Sequence, residues 1–238
     1  MKLRIASLVL LIVTGHLAVV PLSAQNYEVR QLDIRVDFIE VSADLAVQLS
    51  SEKEAPTTSS EGRTLRERLL EDGAGRLYAS TSVITKSGQR ATAQSASEVI
   101  YPTEFDPANG REEGAPEEPR EISGVDVPTP TSFEMRPVGV TVEVDPVLGA
   151  DGETIDLNLA PEIVELAGED VAQEIPLGSR TLATIRQPRF YVMKVQTAVT
   201  VKAGGTHWIG TLTPRTEGGE LDPDRRILVL VTARVVGA

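Results

Sequence analysis

Residues 137–159 read Pro137-Val138-Gly139-Val140-Thr141-Val142-Glu143-Val144-Asp145-Pro146-Val147-Leu148-Gly149-Ala150-Asp151-Gly152-Glu153-Thr154-Ile155-Asp156-Leu157-Asn158-Leu159, and their period is two. Val138, Val140, Val142 and Val144 alternate with Gly139, Thr141 and Glu143; Ile155, Leu157 and Leu159 alternate with Asp156 and Asn158. Successive side chains of a strand point to opposite faces, so each run presents one apolar face and one polar face. Gly149-Ala150-Asp151-Gly152 between them carries the residues of a tight turn. The expectation is a β-hairpin half-buried in a sheet.

Working outward, the same period recurs. Leu32, Ile34, Val36 and Phe38 alternate with polar residues, and Ile39 to Val41 continue after a one-residue phase slip, which predicts a bulge at Phe38-Ile39. Strands are expected from Leu77 to Thr85 and from Arg90 to Ile100, joined as a hairpin by Lys86-Ser87-Gly88-Gln89. Phe190 to Val201 reads as a further strand, turned by Gly204-Gly205 into His207 to Thr213, and Ile227 to Val236 closes the series. One short helix interrupts it. Thr64 and Glu67 have capping-box spacing, and Leu65, Leu69 and Leu70 form an apolar stripe ended by Gly73. Residues 50–62 and residues around 168–187 read as loops, and residues 104–124 read as an exposed, flexible acidic loop.

Composition narrows the function classes. The chain has 238 residues, 23 Lys+Arg against 35 Asp+Glu, nine aromatics and no Cys. So acidic a chain repels phosphate backbones, which argues against nucleic acid as a partner. Without thiols there is no disulfide framework, no Cys-ligated zinc and no Cys nucleophile.

The start of the chain has the layout of a cleavable secretory signal. Met1-Lys2-Leu3-Arg4 is positive, Ile5 to Val13 is apolar, and Leu22-Ser23-Ala24 gives a small-residue exit before Gln25. Residues 1–24 are therefore expected to be removed on export, leaving 21 basic against 35 acidic side chains, a net of −14. Residues 25–75 would form an N-terminal strand, loop and helix, and residues 76–238 a β-domain.

Candidate chemistry is sparse. A calcium site would have to use Asp106, Asn109, Glu112 and Glu113, whose spacing matches no EF-hand loop. His207 is the one imidazole after the leader and lacks the nucleophile motif and orienting acid of a triad. It reads as a strand-end side chain partly covered by Trp208. Gly204-Gly205 lies between strands, not at a helix start, so it is no phosphate cradle. The chain is expected to be no enzyme, with no catalytic, cofactor or metal site and no small-molecule substrate.

The order of these strands resembles that of the secretins, the outer-membrane channel subunits of type II and III secretion and type IV pilus machines. Ser82 to Thr92 (SVITKSGQRAT) is similar to the segment that opens the secretin homology domain. Pro137 to Pro146, Ile155 to Leu159, Val195 to Leu212 and Arg226 to Val235 are similar to four later strands in the family's order. Arg35 to Val41 is similar to the strand leading in. The resemblance implies a mainly β fold of antiparallel sheets and hairpins with one or two short helices. It also implies a cell-envelope protein of the periplasm or outer membrane, self-associating or bound to other secretion-apparatus proteins.

Two departures qualify that implication. The interval Thr213 to Arg225 (TPRTEGGELDPDR) is short and acidic where the family carries an amphipathic lip that engages the outer membrane. Only about fifty residues between the leader and the match stand where ring-forming periplasmic repeats are usual. The competing expectation is a soluble periplasmic β-scaffold that binds a partner without forming a channel. For a ring, the Val138 to Val144 strand is a candidate for pairing between chains.

Overall fold

A computed structural model describes residues 30–51, 64–106, 128–177 and 180–237. Residues 1–24, residues 52–62 of the loop expected at 50–62, residues 107–124 of the expected acidic loop, and with them Asn109, Glu112 and Glu113 of the calcium candidate, lie outside the described residues; residues 50–51 belong to α1 and residues 104–106 to β3 instead of loops. The fold is mainly β, as expected. In chain order it runs β1 (Gln31–Ser42), α1 (Ala43–Ser51), α2 (Leu65–Glu71), β2 (Gly75–Lys86), β3 (Ala91–Asp106), β4 (Thr129–Leu148), β5 (Thr154–Leu177), β6 (Arg180–Lys194), β7 (Thr197–Lys202), β8 (Thr206–Leu212) and β9 (Arg225–Val236).

Two antiparallel sheets face each other. One has the order β2-β1-β9-β8; the other has the order β3-β4-β5-β6, with β7 also paired to β5. The alternating rows found in the sequence meet between them. Leu32, Ile34, Val36 and Phe38 of β1 and Ile227, Val229, Val231 and Ala233 of β9 pack on Val142 and Val144 of β4 and Ile155, Leu157, Leu159 and Ile163 of β5. Each such side chain contributes about 1.5–3 kcal/mol by leaving water, before the entropy of ordering is counted.

The helices form a third layer. Ile39 and Val41 of β1 and Leu228 and Leu230 of β9 point away from the sandwich and are covered by Ala46 and Leu49 of α1 and Leu65 and Leu69 of α2. This gives the irregularity at Phe38-Ile39 its physical meaning. β1 keeps an unbroken register with β9, from Gln31 opposite Val236 to Ser42 opposite Arg225. The extra residue lies on β2, where Phe38 pairs with Ala79 and Ile39 with Leu77, leaving Tyr78 without a β1 partner. The change of apolar phase in β1 is a strand buried on both faces.

Three expectations about connectivity are corrected. The turn at residues 86–89 does not close a hairpin, because β2 pairs with β1 and β3 pairs with β4. The turn is a corner between the sheets, held by the Gly88 N–H donating to Pro146 O at 2.7 Å and the Leu148 N–H donating to Ser87 Oγ at 2.9 Å. The described residues around 168–187 are not a loop: β5 runs to Leu177 and β6 from Arg180, paired antiparallel with three register irregularities. The expected strand from Phe190 to Val201 is interrupted at Val195-Gln196, between β6 and β7.

Local signals explain the rest. At α2 the capping box is complete: the Thr64 hydroxyl accepts from the Glu67 N–H, and the Glu67 carboxylate accepts from the Thr64 N–H. The β4–β5 turn closes through the Gly149 N–H to Thr154 O bond, with the Asp151 carboxylate accepting from the Glu153 and Thr154 N–H groups.

Candidate functional site

The five-stranded sheet presents open edges and an outer face, and the four-stranded sheet ends in its own edges at β2 and β8. β4 is not one of those edges. Its residues from Gly139 to Val144 pair with β3 on one side and with β5 on the other. The expectation that this strand pairs between chains is therefore corrected: its ladder groups are taken up within one chain. Among the described residues the edges are β3 on one side and β6 with β7 on the other.

Beyond Gly139 opposite Val164, the β3–β4 and β5–β6 hairpins extend away from the sandwich and touch through aromatic contacts. The Tyr101 and Phe190 rings lie 5.7 Å apart, and the Arg136 guanidinium sits 5.1 Å above the Phe190 ring. Gln187 donates to Pro102 O at 2.7 Å. The opposite face of the β3–β4 hairpin is apolar and open. Ile100 pairs with Met135 and Pro102 with Phe133, and Ile100, Met135 and Phe133 are 66%, 57% and 58% exposed. Three large apolar side chains on one face of a protruding ribbon mark a contact surface.

The outer face of the sheet nearer the sandwich is polar. A hollow of about 250 Å³ is lined by Arg90, Glu143, Asp145, Asn158, Lys194 and Gln196. Its charges neutralise one another, with Arg90 on Glu143 at 2.9 Å and Lys194 on neighbouring Glu162 at 3.1 Å. Such exposed pairs contribute little to stability.

The interval from Thr213 to Arg225 is a compact loop. An isolated bridge joins Arg215 to Leu221, and the Thr216 N–H donates to Glu220 O at 2.8 Å. Arg225 fastens its end to Asp222 at 2.6 Å, to Glu40 of β1 at 3.1 Å and to Arg215 O at 3.0 Å. The hydrogen bond from Arg225 lowers the Asp222 pKa below the ordinary carboxyl value. Leu221 is its exposed large apolar residue, at 63%.

His207 has a structural partner. Its Nε2 accepts from the Lys202 N–H at 3.2 Å across the β7–β8 turn, and burial lowers its pKa. The expected cover by Trp208 is replaced by this turn: strand alternation sends Trp208 to the helix layer, where its Nε1 donates to Gly210 O at 2.8 Å. Asp106 is the last residue of β3, and among the described residues no group of three or more His, Asp or Glu is placed to hold a metal ion. Sequence reasoning missed the apolar hairpin face, because Ile100, Phe133 and Met135 are separated by polar residues and acquire meaning through the β3–β4 register.

A two-sheet β-sandwich with a helix layer, extended by paired hairpins, defines a mainly β protein of antiparallel sheets. Residues 68–220 match the secretin family, described as bacterial type II and III secretion system protein, and the chain belongs to that family. No curated protein matches it in sequence. Among solved structures, the type II secretion system secretin GspD of E. coli K12 is 12% identical, with 88% of this chain and 51% of that one covered and a TM-score of 0.44. The InvG secretin domain β-barrel of the Salmonella SPI-1 injectisome is also 12% identical, with 88% and 64% covered and a TM-score of 0.44. PulD, in the Klebsiella pneumoniae type II outer membrane complex, is 13% identical, with 88% and 41% covered and a TM-score of 0.44. The chain thus spans between two fifths and two thirds of the length of these structures.

Proposed function

We propose that this protein is a structural, non-enzymatic component of a type II- or III-type secretion or pilus apparatus in the cell envelope, associating with copies of itself through the β3 and β6–β7 edges. The observation that carries the reading is the five-stranded sheet with two open edges in a chain of the secretin family. An edge strand presents unpaired N–H and C=O groups, and closing subunits around an axis removes those edges. The open face of Ile100, Phe133 and Met135 lies beside the β3 edge and would be covered in the same step. Export by the N-terminal signal would deliver the chain to the periplasm or outer membrane. Chemical crosslinking of the exported protein tests this: a ring subunit gives a ladder of sizes, and a single band at the monomer mass refutes it.

The compact Thr213–Arg225 loop favours a second reading, in which the protein is a periplasmic binding scaffold that forms no channel. Its turn, its bridge and the Arg225 contacts leave one exposed large apolar side chain, Leu221, for insertion into lipid. Flotation with vesicles of E. coli polar lipids separates the readings, since the scaffold stays with the soluble fraction.

A further inference from the structure

The root of the β5–β6 hairpin is held from two sides. Glu165 of β5 and Tyr191 of β6 stand opposite each other there, just past the last β4–β5 pair, Gly139 opposite Val164. The four-stranded sheet that faces them has β2 at one edge and β8 at the other. From the β2 edge, the hydroxyl of Tyr78, the residue left without a β1 partner, donates to Glu165 Oε1. From the chain leaving β8, Thr213 O accepts from the Tyr191 hydroxyl at 2.6 Å, and the Arg215 guanidinium lies 5.3 Å above the Tyr191 ring. One cross-strand pair thus ties the hairpin to both edges of the opposite sheet.

The two ties differ in what stands behind them. Tyr78 belongs to a strand, and its side chain packs on the core of the sandwich. Thr213 and Arg215 belong to a loop whose hold on the sheet is Arg225. That guanidinium reaches Glu40 of β1 at 3.1 Å and, at 3.0 Å, the carbonyl oxygen of Arg215 itself. Among the described residues, the Arg225 side chain bonds to Asp222, Glu40 and Arg215, none of them on the hairpin. A line of contacts therefore runs from Glu40 through Arg225 and Arg215 to Tyr191. Beyond the root, the Tyr101–Phe190 contact and the Gln187 bond to Pro102 O join the two hairpins, so they share this mount.

We propose that the Thr213–Arg225 loop is a strap that sets the angle at which the two hairpins leave the sandwich. The Tyr78–Glu165 contact is the pivot, and the line Arg225–Arg215–Tyr191 is the adjustable side. The leverage is large. From Glu165 to Leu177, β5 reaches about 40 Å at about 3.3 Å per residue, so a tilt of about 10° at the root carries the tip about 7 Å. Packed elements joined by a few directional contacts pivot as bodies when one contact is released. Moving the loop therefore redirects both hairpins. The inference concerns a single chain and stands whether or not copies associate.

Pulsed electron–electron double resonance on the full exported chain reads that angle. The chain has no Cys, so Ser82→Cys on β2 and Glu174→Cys on the hairpin, both at exposed positions, carry the only spin labels. Dilution with unlabelled chain removes distances between copies. With the strap intact, the labels should give one narrow distance distribution. Tyr191→Phe deletes a single hydroxyl, and Arg225→Ala leaves every hairpin residue in place. Each should shift or broaden the distribution by about 5 Å or more. Because both act on one line of contacts, the double variant should do no more than the larger single change. Circular dichroism checks that each variant keeps its β-content; where Arg225→Ala does not, Arg225→Lys replaces it, keeping the charge beside Glu40 while losing the fork that also reaches Arg215 O. A folded Arg225 variant or a Tyr191→Phe variant with the wild-type distribution, or single effects that add in the double variant, would overturn the proposal.

Discussion

Asp37 of β1 and Arg66 of α2, 29 positions apart, meet at 3.0 Å, with the carboxylate fully buried. Arg35 Nε lies at 3.0 Å from the same carboxylate, and the Ser80 hydroxyl of β2 donates to it at 2.6 Å. One buried acid therefore joins two strands of the sheet to the helix that covers them. Removing it strands two guanidinium groups against an apolar layer, a change that costs about 3 kcal/mol. Asp37→Ala should lower unfolding free energy by that amount in urea titration, and Arg66→Ala by about 1 kcal/mol, since Arg35 and Ser80 still satisfy the carboxylate. Equal losses in the two variants would contradict the arrangement.

Gly139 marks the level at which the hairpins leave the sandwich. Its φ is +146°, and a Cβ there would lie 2.3 Å from Ser95 O and 2.6 Å from Ala96 Cα. Backbone atoms of a paired strand cannot give way as a flexible side chain can. Gly139→Ala should cost about 2–4 kcal/mol, read as a lowered urea midpoint with the slope unchanged. A loss within experimental error would mean that the two strands can separate there freely.

Acid should weaken the fold through two carboxylates, Glu67 in the first turn of α2 and Asp222 in the Thr213–Arg225 loop. The backbone and side-chain hydrogen bonds of Thr64 lower the Glu67 pKa from 4.5, and the Arg225 hydrogen bond lowers that of Asp222 from 3.8. Groups whose folded pKa is depressed add stability above their unfolded values and lose it as pH falls through the folded ones. Stability measured by urea should thus decline below those ordinary values. Glu67→Gln and Asp222→Asn should each flatten the decline, and a wild-type profile retained in both would refute the assignment.

Much of this architecture is legible in the sequence where burial is one-sided. The Val140, Val142, Val144 row, the β4–β5 turn and the Thr64–Glu67 box each follow from local chemistry, and each is in place. What escaped follows from longer range. α1 has nine residues, with the Ser42 hydroxyl accepting from the Leu45 N–H at its start and the Ser50 and Ser51 hydroxyls donating to Val47 O and Gln48 O at its end, and it is held in place by packing Ala46 and Leu49. The distal β5–β6 hairpin has mostly exposed side chains, so its sequence lacks the apolar alternation that marks a strand, and Gly168 reads as a break. The corner at Ser87-Gly88 looks like a hairpin turn because the bonds that redirect it come from β4. Of the candidate surface, the β-rich class was readable, while the identity of the free edges required the pairing itself.

The open face of the β3–β4 hairpin can be tested without disturbing the core. Ile100→Lys with Met135→Lys places charges where both side chains already face water. Unfolding free energy should change by no more than about 0.5 kcal/mol per site. Association, followed by light scattering in mild detergent, should be lost. An assembly that survives the double substitution would remove this face from the interface.

The central claim is that the open edges of the five-stranded sheet are closed by other copies of the chain. Electron microscopy of the native protein, extracted from the envelope in mild detergent, tests it most directly. The account predicts closed, symmetric particles in which β3 of one copy lies beside β6 or β7 of the next. Single-copy particles, in detergent and in buffer alike, would contradict it.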